Sequence, residues 1–190
     1  MNKKLELKNF NLRHLKLNSK GTPSIDWFDL TQTNELFSVE SDSMPHEDLV
    51  NKLNELRSVL AESLGLLKGW DFARENNRKN DEKLAEAIRN YNEEILRCKV
   101  SGVTITDKGI KISGSLVCDE GAVGLTYPLV KFENEDDETV IGETAKTIVD
   151  ELQTEVWKFI YAGKRAKDLF SDQADESGLG NGTSKNMAVA

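Results

Sequence analysis

Histidine and cysteine are scarce in this sequence, which has two of each among its 190 residues. His14 and His46 lie far apart, and neither belongs to an HExxH or a similar metal-ligand spacing. Cys98 and Cys118 form no CxxC pair, so we expect no zinc site built on thiolates. The sequence also lacks a P-loop, a GxGxxG turn after a strand and a GxSxG nucleophile elbow. We therefore expect no catalytic residues, no metal and no cofactor, and we predict that the protein is not an enzyme.

Long apolar runs are missing as well. No stretch approaches the roughly 18 to 20 apolar residues that a membrane-spanning helix requires. Residues 1–17 are basic, but they lack the continuous apolar stretch and the small-residue cleavage site of a secretory signal. The sequence therefore predicts a cytoplasmic protein that does not associate with a membrane.

Positive charge is in the minority, because 25 Lys and Arg face 33 Asp and Glu and the net charge is −8. This balance argues against bulk, unspecific DNA binding, which requires a basic surface. The distribution is uneven, since residues 1–20 hold six cations and one glutamate, whereas residues 21–51 hold seven acidic residues and no cation. A second basic cluster follows the acidic run ENEDDE at 133–138. The candidate contact residues of the two basic clusters are Lys3, Lys4, Lys8, Arg13, Lys16, Lys20, Lys164, Arg165 and Lys167.

These basic clusters allow more than one interpretation. They are either solvated faces or surfaces that orient a partner or support self-association. The cations at 164–167 complement the negative end of a helix dipole. Aromatic residues flank the cations at 164–167. In the alternative interpretation, these cations therefore contact a phosphate, a base or a protein partner. If the two clusters serve one partner, we predict that they lie on one face.

The N-terminal region has the periodicity of β-strands. Apolar residues stand at 5 and 7, at 10 and 12, and at 15 and 17, so the alternation shifts phase between pairs. Such shifts predict a strand with bulges, or two strands that are tightly joined. SIDWFDL (24–30) and ELFSV (35–39) are two further strand candidates, rich in aromatic or branched residues.

The middle of the chain predicts two helices. The first begins near Pro45 with Ser43 as its cap, and it ends at Gly65 or Gly69. Its apolar stripe, which is typical of core packing, consists of Leu49, Leu53, Leu56, Leu60, Leu64 and Leu67. Residues 68–81 lack a period and predict a loop or a partly helical hinge. The second helix, about 81–97, has a narrow apolar stripe and is expected on the surface or over a sheet.

Three successive alternating segments, 98–105, 109–118 and 122–132, predict a β-meander with turns at TDKG and DEGA. If TDKG closes a hairpin, Ile105 faces Ile110, and a bulge at 101–102 places Cys98 opposite Cys118 as reduced thiols. Pro128 indicates that the third strand is an edge there.

A last amphipathic helix is expected from about 138 to 164, followed by a disordered tail at 171–190. The order of strands, helices, strands and helix predicts an α+β fold. We expect one domain over residues 1–170, with a mostly antiparallel sheet packed against two or three helices, including the long C-terminal one.

Two local patterns carry a resemblance, PHEDLVNKLNELRSVLAE (45–62) and ELQTEVWKFIYAGKRAKDLF (151–170). The chain resembles a family of small uncharacterised bacteriophage and prophage proteins of Bacteroidota-type hosts. The matching residues are Pro45, His46, Asp48, Leu49, Glu155, Val156, Gly163, Lys164 and Ala166. The resemblance covers about two-thirds of the chain. It implies a phage or prophage origin and a loose link to replication and recombination, and it implies no catalytic residues.

We therefore expect a phage-encoded, non-enzymatic accessory protein in the host cytoplasm. It binds a protein partner, with single-stranded DNA as a further candidate ligand, and self-association stays open. The alternatives are a virion or assembly component, or an inhibitor of a host defence protein, for which the acidic blocks can pair with basic partners. A weaker third option is a small-molecule-binding module beneath the last helix.

Overall fold

The computed structural model describes residues 5–31, 35–132 and 140–166, which form an α+β fold. The strands in these ranges are β1 (Phe10–Leu17), β2 (Pro23–Asp29), β3 (Glu35–Glu40), β4 (Cys98–Thr106), β5 (Gly109–Cys118), β6 (Gly121–Thr126) and β7 (Val130–Lys131). The helices are α1 (Glu47–Ser63), α2 (Trp70–Asn76), α3 (Asp81–Arg97) and α4 (Val140–Tyr161). The acidic run at 133–138 and the tail predicted for 171–190 lie outside the described residues.

All the strands belong to one antiparallel sheet with the order β3-β2-β1-β4-β5-β6, and β7 pairs with β5 beside β6. Helices α1 and α4 pack against each other and against the central strands β4 and β1. Side chains from both layers are fully buried between them, including Leu12, Ile112, Leu56 and Leu152. The other side of the sheet has no helix packed on it within the described part of the chain, and we call it the uncovered face.

A bulge in β1 explains the phase shift of its apolar residues. The register with β2 shifts between Leu12 and His14, so that Arg13 is the extra residue. Leu12 and Leu15 are three positions apart, yet both are buried on the helical side. Because of the bulge, the pair Leu15 and Leu17 points to the same side of the sheet as the pair Phe10 and Leu12, as the phase shift in the sequence predicts.

The pairing of β4 with β5 corrects the expected cysteine register. Ile105 faces Ile110 and the bulge lies between Val100 and Gly102, both as predicted, but Cys98 faces Leu116. The extra residue of the bulge belongs to β4. A bulge in β5 would have placed Cys118 opposite Cys98, whereas the bulge in β4 places Leu116 there. Cys118 instead faces Gly121. Both thiols are free, and burial raises the pKa of the Cys98 thiol.

The elements differ from the prediction at two places, the N-cap of α1 and the third strand of the meander. The N-cap of α1 is His46, whose Nδ1 accepts a hydrogen bond from the Asp48 N–H at 3.3 Å, so the prediction of Ser43 was wrong. Gly65, with φ 74°, follows the end of α1 as predicted. The segment predicted as a loop or a partly helical hinge contains the short helix α2, in agreement with the second alternative. The predicted third strand of the meander is divided, because β6 ends two residues before Pro128.

Candidate binding surface on the uncovered sheet face

The nine basic residues singled out in the sequence do not form one surface. Lys3, Lys4 and Lys167 lie outside the described residues. Lys8 forms an exposed ion pair with Glu6 at 2.8 Å. Lys20 lies in the turn between β1 and β2, where its N–H bonds to the Asn18 side chain. The remaining four residues divide between the helical layer and the uncovered face.

Lys164 belongs to an ionic cluster that joins the two long helices. Its Nζ donates to Asp48, in the first turn of α1, and to Oε2 of Glu155 on α4 at 2.7 Å. Lys158 binds the other oxygen of Glu155 at 2.6 Å. We call Asp48, Glu155, Lys158 and Lys164 the α1–α4 clasp. Two carboxylates compensate the charge of Lys164, which is therefore a structural cation in this arrangement.

The pKa values of the clasp move in the directions that ion pairing requires. The hydrogen bond from Lys164 lowers the pKa of Asp48, and the bond to Asp48 in turn raises the pKa of Lys164. Burial acts to raise the pKa of Glu155, but the hydrogen bonds from Lys158 and Lys164 outweigh it and lower that pKa. The cluster is thus charged at neutral pH.

Arg165 also lies on the helical side of the molecule. Its guanidinium carbon is 5.4 Å from the centre of the Phe159 ring, and its backbone forms a bridge with Pro45. Lys16, by contrast, lies on the side of β1 that points away from the helices. Arg13, the bulge residue, lies on the same side, because its guanidinium contacts the Phe28 ring. The prediction that the two basic clusters share one face was therefore wrong for their described residues.

The uncovered face can be followed across the sheet by the strand register. His14 lies beside Asp26 of β2 and Thr104 of β4, and Thr104 lies beside Lys111 of β5. Side chains of directly paired residues project to the same side of a sheet. The register and the alternation place four lysines and two carboxylates on the face, namely Lys16, Lys99, Lys111 and Lys131 with Asp26 and Glu40. Arg13 joins them through its contact with Phe28, and it brings its ion-pair partner Asp107. Five cations against three carboxylates give the face a net charge of +2 in a chain of net charge −8.

A shallow depression of about 580 Å³ lies in this face, lined by Arg13, His14, Asp26, Phe28, Leu36, Thr104 and Ile105. The Arg13 guanidinium lies 4.9 Å from the centre of the Phe28 ring, and its Nη1 donates to Oδ1 of Asp107 at 2.8 Å. Its Nε is buried and has no hydrogen-bond partner among the described residues. His14 Nδ1 is 3.0 Å from Oγ1 of Thr104. The depression thus combines an aromatic ring, a stacked cation and polar groups on a rigid sheet.

Sequence reasoning singled out Arg13 and Lys16 but missed His14, Phe28 and Lys111 as members of one surface. His14 and Thr104 are separated by 90 positions in the chain, so their contact depends on the pairing of β1 with β4. Local alternation indicates which residues share the face of one strand, as it does for Lys111, but not which strands are neighbours.

Other functional signals are sparse in the part of the chain that the structure describes. It contains no group of three or more His, Cys, Asp or Glu that could hold a metal ion. None of its helices is both long enough and apolar enough to cross a bilayer.

No protein-family model, no curated protein and no solved structure matches the chain. The resemblance to phage and prophage proteins therefore stays a prediction, and so does the non-enzymatic character.

Proposed function

We propose that this protein is a phage-encoded, non-enzymatic binding protein of the host cytoplasm, accessory to replication or recombination. Its uncovered sheet face contacts single-stranded DNA, and a separate helical surface contacts a protein partner. The observation that carries this proposal is Arg13 stacked on Phe28 in the middle of a locally cationic face. The rest of the molecule is acidic, so that a polyanion has one favourable side to approach.

Single strands are bound where cations follow the phosphate backbone and flat side chains accept stacked bases. Phe28 and the guanidinium of Arg13 provide such a pair of flat groups. The buried Nε of Arg13 has no hydrogen-bond partner among the described residues. Lys111 stands beside Thr104 at the depression, and Lys16 lies two residues along β1 from His14. The exposed lysines supply charge around the stacking pair, which suits binding without strong sequence preference.

The helical arm formed by α2 and α3 supports the protein-partner part of the proposal. Helix α3 buries none of its 17 residues, although its sequence is amphipathic. Phe72 is 76% exposed and Leu96 is 61% exposed. Large exposed apolar side chains on a helical arm that is only partly packed are typical of surfaces that a partner covers.

The DNA contact is tested by fluorescence anisotropy with a labelled oligonucleotide of about 20 thymidines at about 50 mM salt, where phosphate contacts are strong. We expect binding that weakens steeply as salt is added. The double variant Lys16→Glu with Lys111→Glu reverses two exposed charges of the face and should weaken binding at least about tenfold. Phe28→Ala should weaken binding through the loss of stacking while the salt dependence stays the same.

The matched control is Lys79→Glu with Lys146→Glu, which makes the same charge change at exposed positions outside the sheet. Retained binding in this control shows that the position of the charges matters, not the net charge alone. The absence of binding at about 50 mM salt, or an equal loss in both double variants, would contradict the DNA contact.

An alternative is a virion component or an inhibitor of a host defence protein. Exposed carboxylates between the edge strand β3 and the start of α1 favour it, namely those of Glu40, Asp42 and Glu47. Exposed carboxylates of this kind can pair with a basic partner. Detection of the protein in purified particles by mass spectrometry, together with no oligonucleotide binding, would favour this alternative over the first.

A further inference from the structure

Strand β6 ends the sheet with an edge that has no protection of the usual kinds. It pairs with β5 on one side, and among the described residues no strand pairs with its other side. Its six residues, GAVGLT, include no charged residue and no proline, and all except Leu125 are exposed. Such edges form hydrogen bonds with another strand unless charge, proline or a bulge prevents it.

The opposite edge of the sheet differs in this respect. Strand β3 begins with Glu35 and ends with Glu40, and both side chains are exposed. Charged side chains at both ends of an edge strand are one of the features that prevent its pairing with a strand of another chain. Self-association is therefore disfavoured at β3 but not at β6.

The free hydrogen-bonding groups of β6 follow from its pairing with β5. The N–H of Tyr127 donates to the Ile112 carbonyl at 2.8 Å, so the residue after β6 points inward to β5. Because successive residues of a strand direct their N–H and C=O groups to opposite sides, those of Ala122, Gly124 and Thr126 point outward. These three residues are available to a second strand.

We propose that β6 pairs with β6 of a second copy of this chain, in antiparallel orientation, with Gly124 on the twofold axis. This register places Gly124 opposite its own counterpart and Ala122 opposite Thr126 of the second copy, so that all the outward groups are bonded. Val123, which is 60% exposed, then lies opposite Leu125 of the second copy on the helical side. The strand is thus complementary to itself in both hydrogen bonding and apolar contact.

Two further observations favour a second copy as the occupant. A Cβ added at Gly124 meets no atom within 4 Å, so the edge is open at the position of the axis. The strand carries no charge, so two chains of net charge −8 meet there without direct repulsion between side chains. Because the axis is perpendicular to the sheet, the uncovered faces of the two copies lie on the same side.

The test is sedimentation velocity of the full chain between about 5 and about 200 µM, the range in which small interfaces dissociate. The unmodified chain should show a reversible equilibrium between monomer and dimer. Gly124→Lys should be monomeric, because two lysines meet across the axis, and Gly124→Glu should be monomeric for the same reason. An equimolar mixture of the two variants should restore a dimer, because lysine then faces glutamate.

Ser38→Lys on β3 is the control, since it adds a lysine to the other exposed edge and should leave the dimer unchanged. The proposal is overturned if the unmodified chain is monomeric at about 200 µM, or if Gly124→Lys associates as strongly as the unmodified chain. A mixture that stays monomeric overturns the register. A misfolded variant would not be rescued by mixing, and no oligonucleotide is present, so the outcome is independent of the proposed DNA contact.

Discussion

Two glycines of neighbouring strands illustrate how differently one residue type is constrained in this sheet. A Cβ on Gly114 of β5 would lie 2.0 Å from the Lys99 carbonyl oxygen of β4, beside the bulge between Val100 and Gly102. A Cβ on Gly124 of β6 would meet nothing within 4 Å. The bulge brings the backbone of β4 close to Gly114, so no other residue fits there without moving one of the strands.

We predict that Gly114→Ala lowers the free energy of unfolding by more than about 2 kcal/mol, because overlap with a backbone atom cannot be relieved by a side-chain rotation. Gly124→Ala should change it by less than about 0.5 kcal/mol. Urea denaturation of the two variants gives both values under identical conditions. Similar losses at the two positions would contradict the close approach of β4 to Gly114.

At the scale of elements, α1 and α3 have the same length of 17 residues but different surroundings. Helix α1 lies between α4 and the sheet and buries four leucines of its stripe, whereas α3 buries none of its side chains. The narrow apolar stripe of α3 therefore agrees with its position, in which only part of the helix surface contacts the rest of the molecule.

Leu56→Ala in α1 should lower the free energy of unfolding by about 2 to 5 kcal/mol, since it leaves a cavity in the core. Ile88→Ala in α3 should cost less than about 1 kcal/mol, because the Ile88 side chain is 43% exposed. Chemical denaturation monitored by circular dichroism compares the two. A loss for Ile88→Ala as large as that for Leu56→Ala would contradict the exposed position of α3.

The elements themselves were largely predictable, because their signals are local. The bounds of α3, the end of α1 at Gly65 and the bulge in β1 follow from periodicity, caps and phase shifts that span a few residues. The contact between Lys164 and Asp48 joins positions 116 apart, and no local pattern specifies it. The candidate surface was only partly predictable for the same reason, since β1 and β4 become neighbours only in the completed sheet.

At the scale of the whole molecule, the α1–α4 clasp ties the end of the last helix to the start of the first. The lowered pKa values of Asp48 and Glu155 mean that both carboxylates contribute stability above their unfolded pKa values. This contribution is lost as the pH falls through the lower values of the folded state. The clasp is therefore a stabilising device at neutral pH and not in strong acid.

Lys164→Met should lower the urea midpoint at pH 7, because two carboxylates lose their shared cation, and the difference from the unmodified chain should shrink at about pH 3. Urea titrations at both pH values measure this. Lys8→Met, which removes an exposed ion pair with Glu6, is the control and should change little at either pH. A deficit of Lys164→Met that is as large in acid as at neutral pH would contradict the ionic role.

The bare side of the sheet also has an electrical consequence for the molecule. The described residues hold 21 Lys and Arg and 24 Asp and Glu, so with +2 on this side the rest of them carry a formal charge of −5. This separation gives the described part of the chain a dipole moment roughly normal to the sheet, which orients it in an electric field. An anion-exchange matrix would hold it by the helical side and leave the strands facing the buffer, whereas a negatively charged polymer would meet the strands first.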